Sequence, residues 1–90
     1  MNYLHYQFNV DKDDVITVSL DKAANVRLLD ATNYLNYKQG RQHKYYGGFA
    51  KTSPVRLSPP HPGVWHVVID LGGYSGVVRA SAELVARSRV

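Results

Sequence analysis

GVWHVVIDLGG, at residues 63–73, is the stretch that decides the fold class. Large apolar side chains alternate along it with smaller or polar ones, and Trp65, Val67 and Ile69 lie on one face. This period of two is typical of a β-strand. GGYSG follows as a turn, and VVRASAEL at 77–84 resumes the alternation. We therefore predict a β-hairpin formed by these two runs.

The rest of the chain repeats this pattern in shorter runs. Five further strands are predicted, at residues 4–8, 16–20, 26–30, 43–49 and 55–57. The polar stretch DKDD at 11–14 joins the first two, and prolines around 55–57 keep that strand out of a sheet centre. No βαβ rhythm is present. The pattern predicts an all-β fold, a small antiparallel β-sandwich that is jelly-roll-like, with about seven strands and at most one short helix.

The one helical signal begins after residue 30. Asp30 and Thr32 are both candidate N-cap residues, and Gly40 stands where a helix would end. A helix of one or two turns is predicted here, and an irregular loop is the alternative.

Length and composition limit the organisation. Ninety residues predict a single β-sandwich domain over 1–90, with 85–90 as a frayed basic tail. The chain contains no cysteine, and residues 1–14 lack the pattern of a signal peptide. Its apolar runs are too short to span a membrane. We therefore expect a cytoplasmic protein.

Aromatic and basic side chains concentrate in YLNYKQGRQHKYYGGF, at residues 34–49. This segment holds five of the ten aromatic residues and no acidic one. The whole chain has a formal net charge of +4, and its positive excess lies in the central residues 27–56, which hold six cations and one acidic residue. Rings beside cations suit an anionic ligand. The predicted ligand-binding residues are Arg27, Tyr37, Arg41, His43, Lys44, Tyr45, Tyr46 and Arg79. A structural loop over the β-core is the alternative interpretation of the segment.

Catalytic and cofactor motifs are not found in the sequence. The four histidines lack the spacings of metal sites, so we predict no metal and interpret them as solvent-facing. Ser75 in GGYSG lacks the strand–turn–helix context of a nucleophile elbow, and neither glycine pair has phosphate-loop spacing. We predict a non-catalytic protein without a cofactor. The competing hypothesis is an enzyme with His43 or His66 as general base.

Three interpretations of the binding function remain open. The first is a binding or sensing module for an anionic small molecule, a glycan or a protein segment. The second is single-stranded nucleic-acid binding, which uses aromatic stacking in a basic groove. The third is a small structural domain that forms a homo-oligomer through sheet edges. Trp65 shares a face with Val67 and Ile69, so we interpret it as a core residue rather than a ligand platform.

Four phrases carry a resemblance to a known family. They are AANVRLLDATNY at 23–34, YKQGRQHKYYGGFA at 37–50, SPVRL at 53–57 and GVWHVVIDLGGYSGVVRAS at 63–81. In this order they resemble the bacterial domain-of-unknown-function family 1883. The resemblance implies a β-sandwich, and that some relatives carry a fused TIR signalling domain, which here would be a separate protein. It supplies no catalytic residues.

Overall fold

The computed structural model describes residues 3–86, which form seven strands and one helix. In chain order these elements are β1 (Leu4–Val10), β2 (Val15–Leu20), β3 (Ala24–Asp30), α1 (Ala31–Lys38), β4 (Tyr46–Ala50), β5 (Val55–Leu57), β6 (Gly63–Asp70) and β7 (Ala80–Val85). Two sheets contain all the strands, so the predicted all-β sandwich with one short helix is confirmed. Among these residues no helix has the length and apolarity that a membrane crossing needs.

Sheet topology differs from the predicted hairpin. The first sheet has the order β1-β6-β3-β4 and the second has the order β5-β2-β7. β6 pairs antiparallel with β1 and β3, whereas β7 pairs with β2 in the other sheet. The predicted pairing of residues 63–71 with 77–84 is therefore wrong. The glycine-rich turn after β6 carries the chain across the sandwich, as the turn at 11–14 does after β1.

The core lies between the two sheets. β2 contributes Ile16 and Val18, and β6 contributes Val67 and Ile69, all of them fully buried. Trp65 belongs to the same cluster and is 2% exposed, so its interpretation as a core residue is confirmed. Burial of such side chains gives the largest favourable contribution to folding, at about 1.5–3 kcal/mol for each one.

The central strand β6 is buried on both faces. Its residues from Trp65 to Asp70 are all buried, although the alternation had suggested one core face. Helix α1 covers the outer face, where Tyr37 packs with Leu29 and Val68. His66 is 7% exposed there, so the interpretation of the histidines as solvent-facing is wrong for this residue.

Helix α1 begins and ends as its flanking residues predict. Asp30 is the N-cap, and its carboxylate accepts a hydrogen bond of 2.8 Å from Asn33 N. Gly40 follows the C-cap with a left-handed φ of 70°, which glycine adopts without steric cost. The helix prediction is confirmed. The segment 34–49 consequently comprises the last five residues of α1, a loop and the first four residues of edge strand β4.

Several predicted boundaries shift. The strand predicted at 43–49 begins only at Tyr46. β7 begins at Ala80, so Arg79 precedes this strand instead of lying within it. Val85 is the last residue of β7, so the predicted frayed tail begins inside a strand. Residues 87–90 of that tail lie outside the described part of the chain.

Candidate functional site

An open pocket of about 540 Å³ lies where β3 ends and β4 and β6 begin. We call it the aromatic pocket. It is lined by Leu28, Asp30, Asn33, His43, Lys44, Tyr45, Tyr46, His61 and Trp65. Five of these nine lining residues carry aromatic rings, and four of the nine, residues 43–46, come from one continuous segment. Its volume falls within the range of small-ligand pockets.

The rings of the pocket pack on the buried Trp65. Tyr46 meets it edge-on with ring centroids 6.1 Å apart, and the His61 ring centroid lies 5.0 Å from that of Trp65. The Trp65 Nε1 donates a hydrogen bond of 2.9 Å to the His61 carbonyl oxygen. Because Trp65 is anchored in the core, these contacts fix the floor of the pocket. Tyr46 itself remains 54% exposed and available to a ligand.

The polar wall of the pocket is built on the start of helix α1. Asp30 Oδ1 accepts hydrogen bonds from both the backbone and the side-chain nitrogen of Asn33. Asn33 Oδ1 in turn accepts a hydrogen bond of 2.8 Å from Lys44 N. His43 Nδ1 donates to the Arg41 carbonyl oxygen at 2.9 Å. The helix cap therefore also positions the backbone that carries His43 and Lys44.

Tyr45 connects the pocket to a buried ion pair. The guanidinium of Arg27 lies between two rings, 5.2 Å from the Tyr45 centroid and 5.6 Å from that of Tyr37. Such cation–π contacts are each worth roughly 0.5–2 kcal/mol. Arg27 Nη1 forms an ion pair with Asp70 Oδ2, and His43 packs edge-on against Tyr37 at 5.3 Å.

Asp70 is the centre of a polar network that we call the Asp70 network. Its carboxylate accepts hydrogen bonds from Asn25 Nδ2 at 2.9 Å, Tyr37 Oη at 2.8 Å and Gly72 N at 2.8 Å, in addition to Arg27. The residue is 1% exposed. A buried carboxylate is tolerated only when it is paired and hydrogen-bonded in this way.

The pKa values of this network follow from the same contacts. Burial alone would raise the pKa of Asp70, but the hydrogen bonds from Asn25, Tyr37 and Gly72 and the charge of Arg27 together hold it below its usual value. Burial and the hydrogen bond to Asp70 raise the pKa of Tyr37 well above that of a free tyrosine. The network therefore holds an ionised carboxylate and a neutral phenol at neutral pH.

The predicted site residues fall into four groups, of which Arg79 forms the last. His43, Lys44, Tyr45 and Tyr46 line the aromatic pocket. Arg27 and Tyr37 lie behind it, and both are engaged by Asp70, so neither is a free recognition group. Arg41 is exposed on the loop beside His43.

Arg79 is separate from the other predicted residues. It is exposed, and its backbone exchanges two hydrogen bonds with Asp21 near β2 of the other sheet. Arg27, by contrast, lies in β3 of the first sheet and is paired with Asp70.

Several functional candidates were missed by sequence reasoning. Asp30, Asn33, His61 and Trp65 complete the pocket. Asp70 closes β6 and is also the ion-pair partner of Arg27. The sequence signal for this ion pair was a carboxylate at the end of the apolar run VVID and the single arginine in the strand VRLLD.

A second cluster, which we call the histidine stack, lies under helix α1. The Tyr34 ring stacks on His5 and His66, with centroid separations of 4.3 and 4.4 Å. His5 Nε2 and His66 Nδ1 share one hydrogen bond of 2.8 Å. Burial and the charge of Lys38 lower the pKa of His5, whereas burial, His5 and Lys38 lower the pKa of His66 against the opposing charge of Asp30. Burial and the hydrogen bond with Tyr3 raise the pKa of Tyr34 to about 12.

Alternative sites lack the chemistry of the aromatic pocket. A cavity of about 490 Å³ at the other end of β6 is lined by Tyr3, Leu4, Ile69, Asp70, Leu71, Gly73, Tyr74, Ser75, Gly76, Val77 and Val78. No lysine or arginine is among them, so this cavity does not suit an anion. Within residues 3–86, no group of three or more His, Cys, Asp or Glu side chains is placed to hold a metal ion.

Comparison with known proteins assigns a family. A search of curated proteins and a search of solved structures gave no significant match. The sequence profile of one family matches residues 1–88, which is nearly the whole chain. The chain therefore belongs to the family described as Domain of unknown function (DUF1883), as the four sequence phrases had indicated.

Proposed function

We propose that this protein is a non-catalytic binding module that recognises an anionic partner at the aromatic pocket. The observation that carries the proposal is the convergence of Tyr45, Tyr46, His43 and Lys44 on one open cavity, with the cation Arg41 exposed on the same loop. Tyrosine rings provide contact area at low entropy cost, and the cations provide attraction for negative charge.

The charge distribution supports an anion over a neutral or cationic partner. Lys44 and Arg41 are exposed, and no ion pair to either is found among residues 3–86. Asp30 is the carboxylate of the pocket, and its Oδ1 is already engaged by Asn33. Arg27 contributes indirectly, because its guanidinium supports the Tyr45 ring from behind.

A thermal-shift and calorimetric screen tests the proposal. The probes are inorganic phosphate, citrate, glucuronate, a glutamate oligopeptide and oligothymidylate. The last of these is the probe for single-stranded nucleic acid. We expect at least one acidic probe to bind the wild-type protein, and the triple variant Arg41→Ala, Lys44→Ala, Tyr46→Ala to bind it about tenfold more weakly or worse, a loss of about 1.4 kcal/mol.

A matched triple variant controls for net charge and for the loss of an exposed ring. Lys12→Ala, Lys22→Ala, Tyr74→Ala removes two exposed cations and one exposed tyrosine elsewhere on the protein. It should bind the same probe as the wild type does. Equal affinity of a folded pocket variant, or binding of neutral analogues alone, would show that the aromatic pocket is not the anion site.

Composition and family resemblance suggest a compartment and a partner for such a module. We infer a cytoplasmic address from the absence of cysteine in the chain. Because the resemblance implies that some relatives carry a TIR domain, a separate TIR protein is one candidate partner. A gene for a TIR protein next to the gene for this chain would support this partner. The two proteins should then co-purify, and the triple pocket variant should no longer co-purify with the TIR protein.

A further inference from the structure

Strand β4 is an open sheet edge directly beside the aromatic pocket. In the order β1-β6-β3-β4 it pairs with β3 alone, in a continuous antiparallel register from Leu28↔Tyr46 to Ala24↔Ala50. An edge strand leaves a row of backbone N–H and C=O groups unpaired on its outer side. The exposed Tyr46 belongs to both the pocket and this edge, so the two form one continuous surface.

The side chains of β4 do not obstruct that edge. Its sequence is YGGFA, without a charge or a proline, and two of its five residues have no side chain. Natural edge strands are commonly protected by an internal charge, a proline or a bulge. Phe49 is 62% exposed, which is unusual for a large apolar ring in a strand.

Basic residues flank both ends of β4, and acidic residues flank neither end. Lys44 precedes the strand and Lys51 follows it, and both are exposed. Arg56 on β5, an edge strand of the other sheet, is exposed as well. Between Asp30 and Asp70 the sequence contains no acidic residue. The edge is therefore flanked by positive charge. A second copy of the chain would present the same charges at its own β4 edge and would be repelled.

The other three edges have a different character. β5 follows Pro54 and carries Arg56 among its three residues, and β7 carries Glu83. β1 has no charge of its own, but it leads into the acidic turn at 11–14. Charge thus sets β4 apart from β1 and β7, and its five-residue length without a preceding proline sets it apart from β5.

We propose that β4 accepts an extended acidic polypeptide segment, which adds a strand to the sheet and places its carboxylates beside Lys44 and Lys51. This inference rests on the proposed function and names the partner class of the same surface. Backbone hydrogen bonds supply affinity in such strand addition, and side-chain contacts supply selectivity. Apolar side chains of the segment cover the two glycines and contact Tyr46 and Phe49.

The geometry sets the pattern of the segment. At roughly 3.4 Å per residue, the seven steps from Lys44 to Lys51 span about 24 Å. A matching segment has acidic residues at both ends and about five uncharged, β-favouring residues between them. The probe is therefore a peptide library with Glu-Glu at each end and a centre of five positions drawn from Val, Ile, Thr, Tyr and Phe.

Binding of this library is measured by fluorescence anisotropy, and the bound strand is located by NMR of the nitrogen-15-labelled protein. We expect the best members to shift the amide signals of residues 46–50 and to slow hydrogen exchange of the outward amides there. Lys44→Glu with Lys51→Glu should weaken binding about tenfold or more. The control Lys12→Glu with Lys22→Glu, which has the same net charge, should bind as the wild type does.

Two modified peptides separate strand addition from simple charge attraction. Each carries N-methyl groups on alternate amides, one set on odd positions and one on even positions. Whichever edge of the peptide backbone pairs with β4, one of the two methylated peptides should bind about tenfold more weakly. Equal binding of both, or signal shifts at β1 or β7 instead of β4, would overturn the proposal.

Failure of this inference is distinguishable from failure of the proposed function. If no library member binds, yet glucuronate or phosphate binds and depends on Lys44 and Tyr46, the partner class is wrong and the anion site stands. If neither small anions nor acidic peptides bind, both proposals are overturned.

Discussion

Tyr37 Oη donates a hydrogen bond of 2.8 Å to Asp70 Oδ2, and this contact ties helix α1 to the central strand β6. The two residues are 33 positions apart in the chain. The same carboxylate oxygen pairs with Arg27 of the neighbouring strand β3. One buried carboxylate thus joins a helix and two strands at the end of β6 that lies away from the aromatic pocket.

Removal of the charge of Asp70 should destabilise the fold. Asp70→Asn leaves Arg27 without its ion-pair partner in a largely buried position, so we expect a loss of about 3 kcal/mol in the free energy of unfolding. Glu83→Gln, at an exposed site in β7, should change it by less than about 0.5 kcal/mol. Urea denaturation followed by tryptophan fluorescence measures both. A loss below about 1 kcal/mol for Asp70→Asn would contradict the assigned role of the network.

The hydroxyl of Tyr37 should be coupled energetically to Asp70. Tyr37→Phe removes one hydrogen bond to a charged group and should cost about 1.5–3 kcal/mol. In the Asp70→Asn background the same substitution should cost less, because the acceptor is no longer charged. A double-mutant cycle measures this coupling. Strict additivity of the two substitutions would mean that this hydrogen bond gains nothing from the charge of Asp70.

The helix cap should be sensitive at Asp30 and insensitive at Thr32, the two candidates that the sequence left open. Asp30→Ala should cost about 1 kcal/mol, because the backbone amide of Asn33 loses its acceptor. Thr32→Ala, at an exposed position within the first turn, should have little effect. Denaturant titration of the two variants gives the comparison. Equal losses would contradict the assignment of Asp30 as N-cap.

Gly47 should be the least replaceable glycine of β4. A Cβ at this position would collide with the carbonyl oxygen of Val26 in β3, and its φ is 105°. Gly48 has a φ of 153° but open space where a Cβ would lie, so Gly48→Ala tests backbone conformation alone. We expect Gly47→Ala to destabilise the protein by at least about 1 kcal/mol more than Gly48→Ala does. Thermal unfolding of the pair measures the difference, and similar melting temperatures would refute the close approach.

The histidine stack should make stability decrease as the pH falls below about 6.5. The pKa values of His5 and His66 are lowered in the folded state, so the unfolded state binds more protons in this range. By linkage, the full stability is present above the pKa that these histidines have in the unfolded chain. It is lost as the pH falls towards their lower pKa values in the folded protein. The free energy of unfolding, measured between about pH 7.5 and 4.5, should decrease over this window.

Substitution of the stack should remove that pH dependence. The double variant His5→Gln, His66→Gln eliminates both titrating rings, so its stability should vary much less between the same pH values. His61→Gln, which lies outside the stack, should keep the slope of the wild type. An unchanged slope in the double variant would assign the pH dependence to other groups.

Local features of the fold could be predicted from the sequence, because each depends on residues close to one another in the chain. The alternation around Trp65 indicates a strand, and Asp30 and Gly40 delimit the helix through short-range hydrogen bonds and backbone preference. Four of the eight predicted site residues, at 43–46, meet in one pocket because they are consecutive.

Pairing between distant residues could not be predicted in this way. Alternation shows that a segment is a strand but does not select its partner, so β6 was assigned to β7 instead of β1 and β3. The sequence also does not show that helix α1 covers the outer face of β6. That placement buries His66 and Asp70, and it converts Arg27 from a candidate anion-binding group into the partner of a carboxylate.

The chain by itself thus determined an all-β class, the helix and a segment rich in rings and cations. Only the tertiary structure decided which of those cations are free to bind. The physical reason is that a buried charge must find a partner across the sheet, and Asp70 meets Arg27 from 43 positions away. Lys44 stays exposed in the wall of the aromatic pocket, and Arg41 stays exposed on the same loop outside the pocket lining.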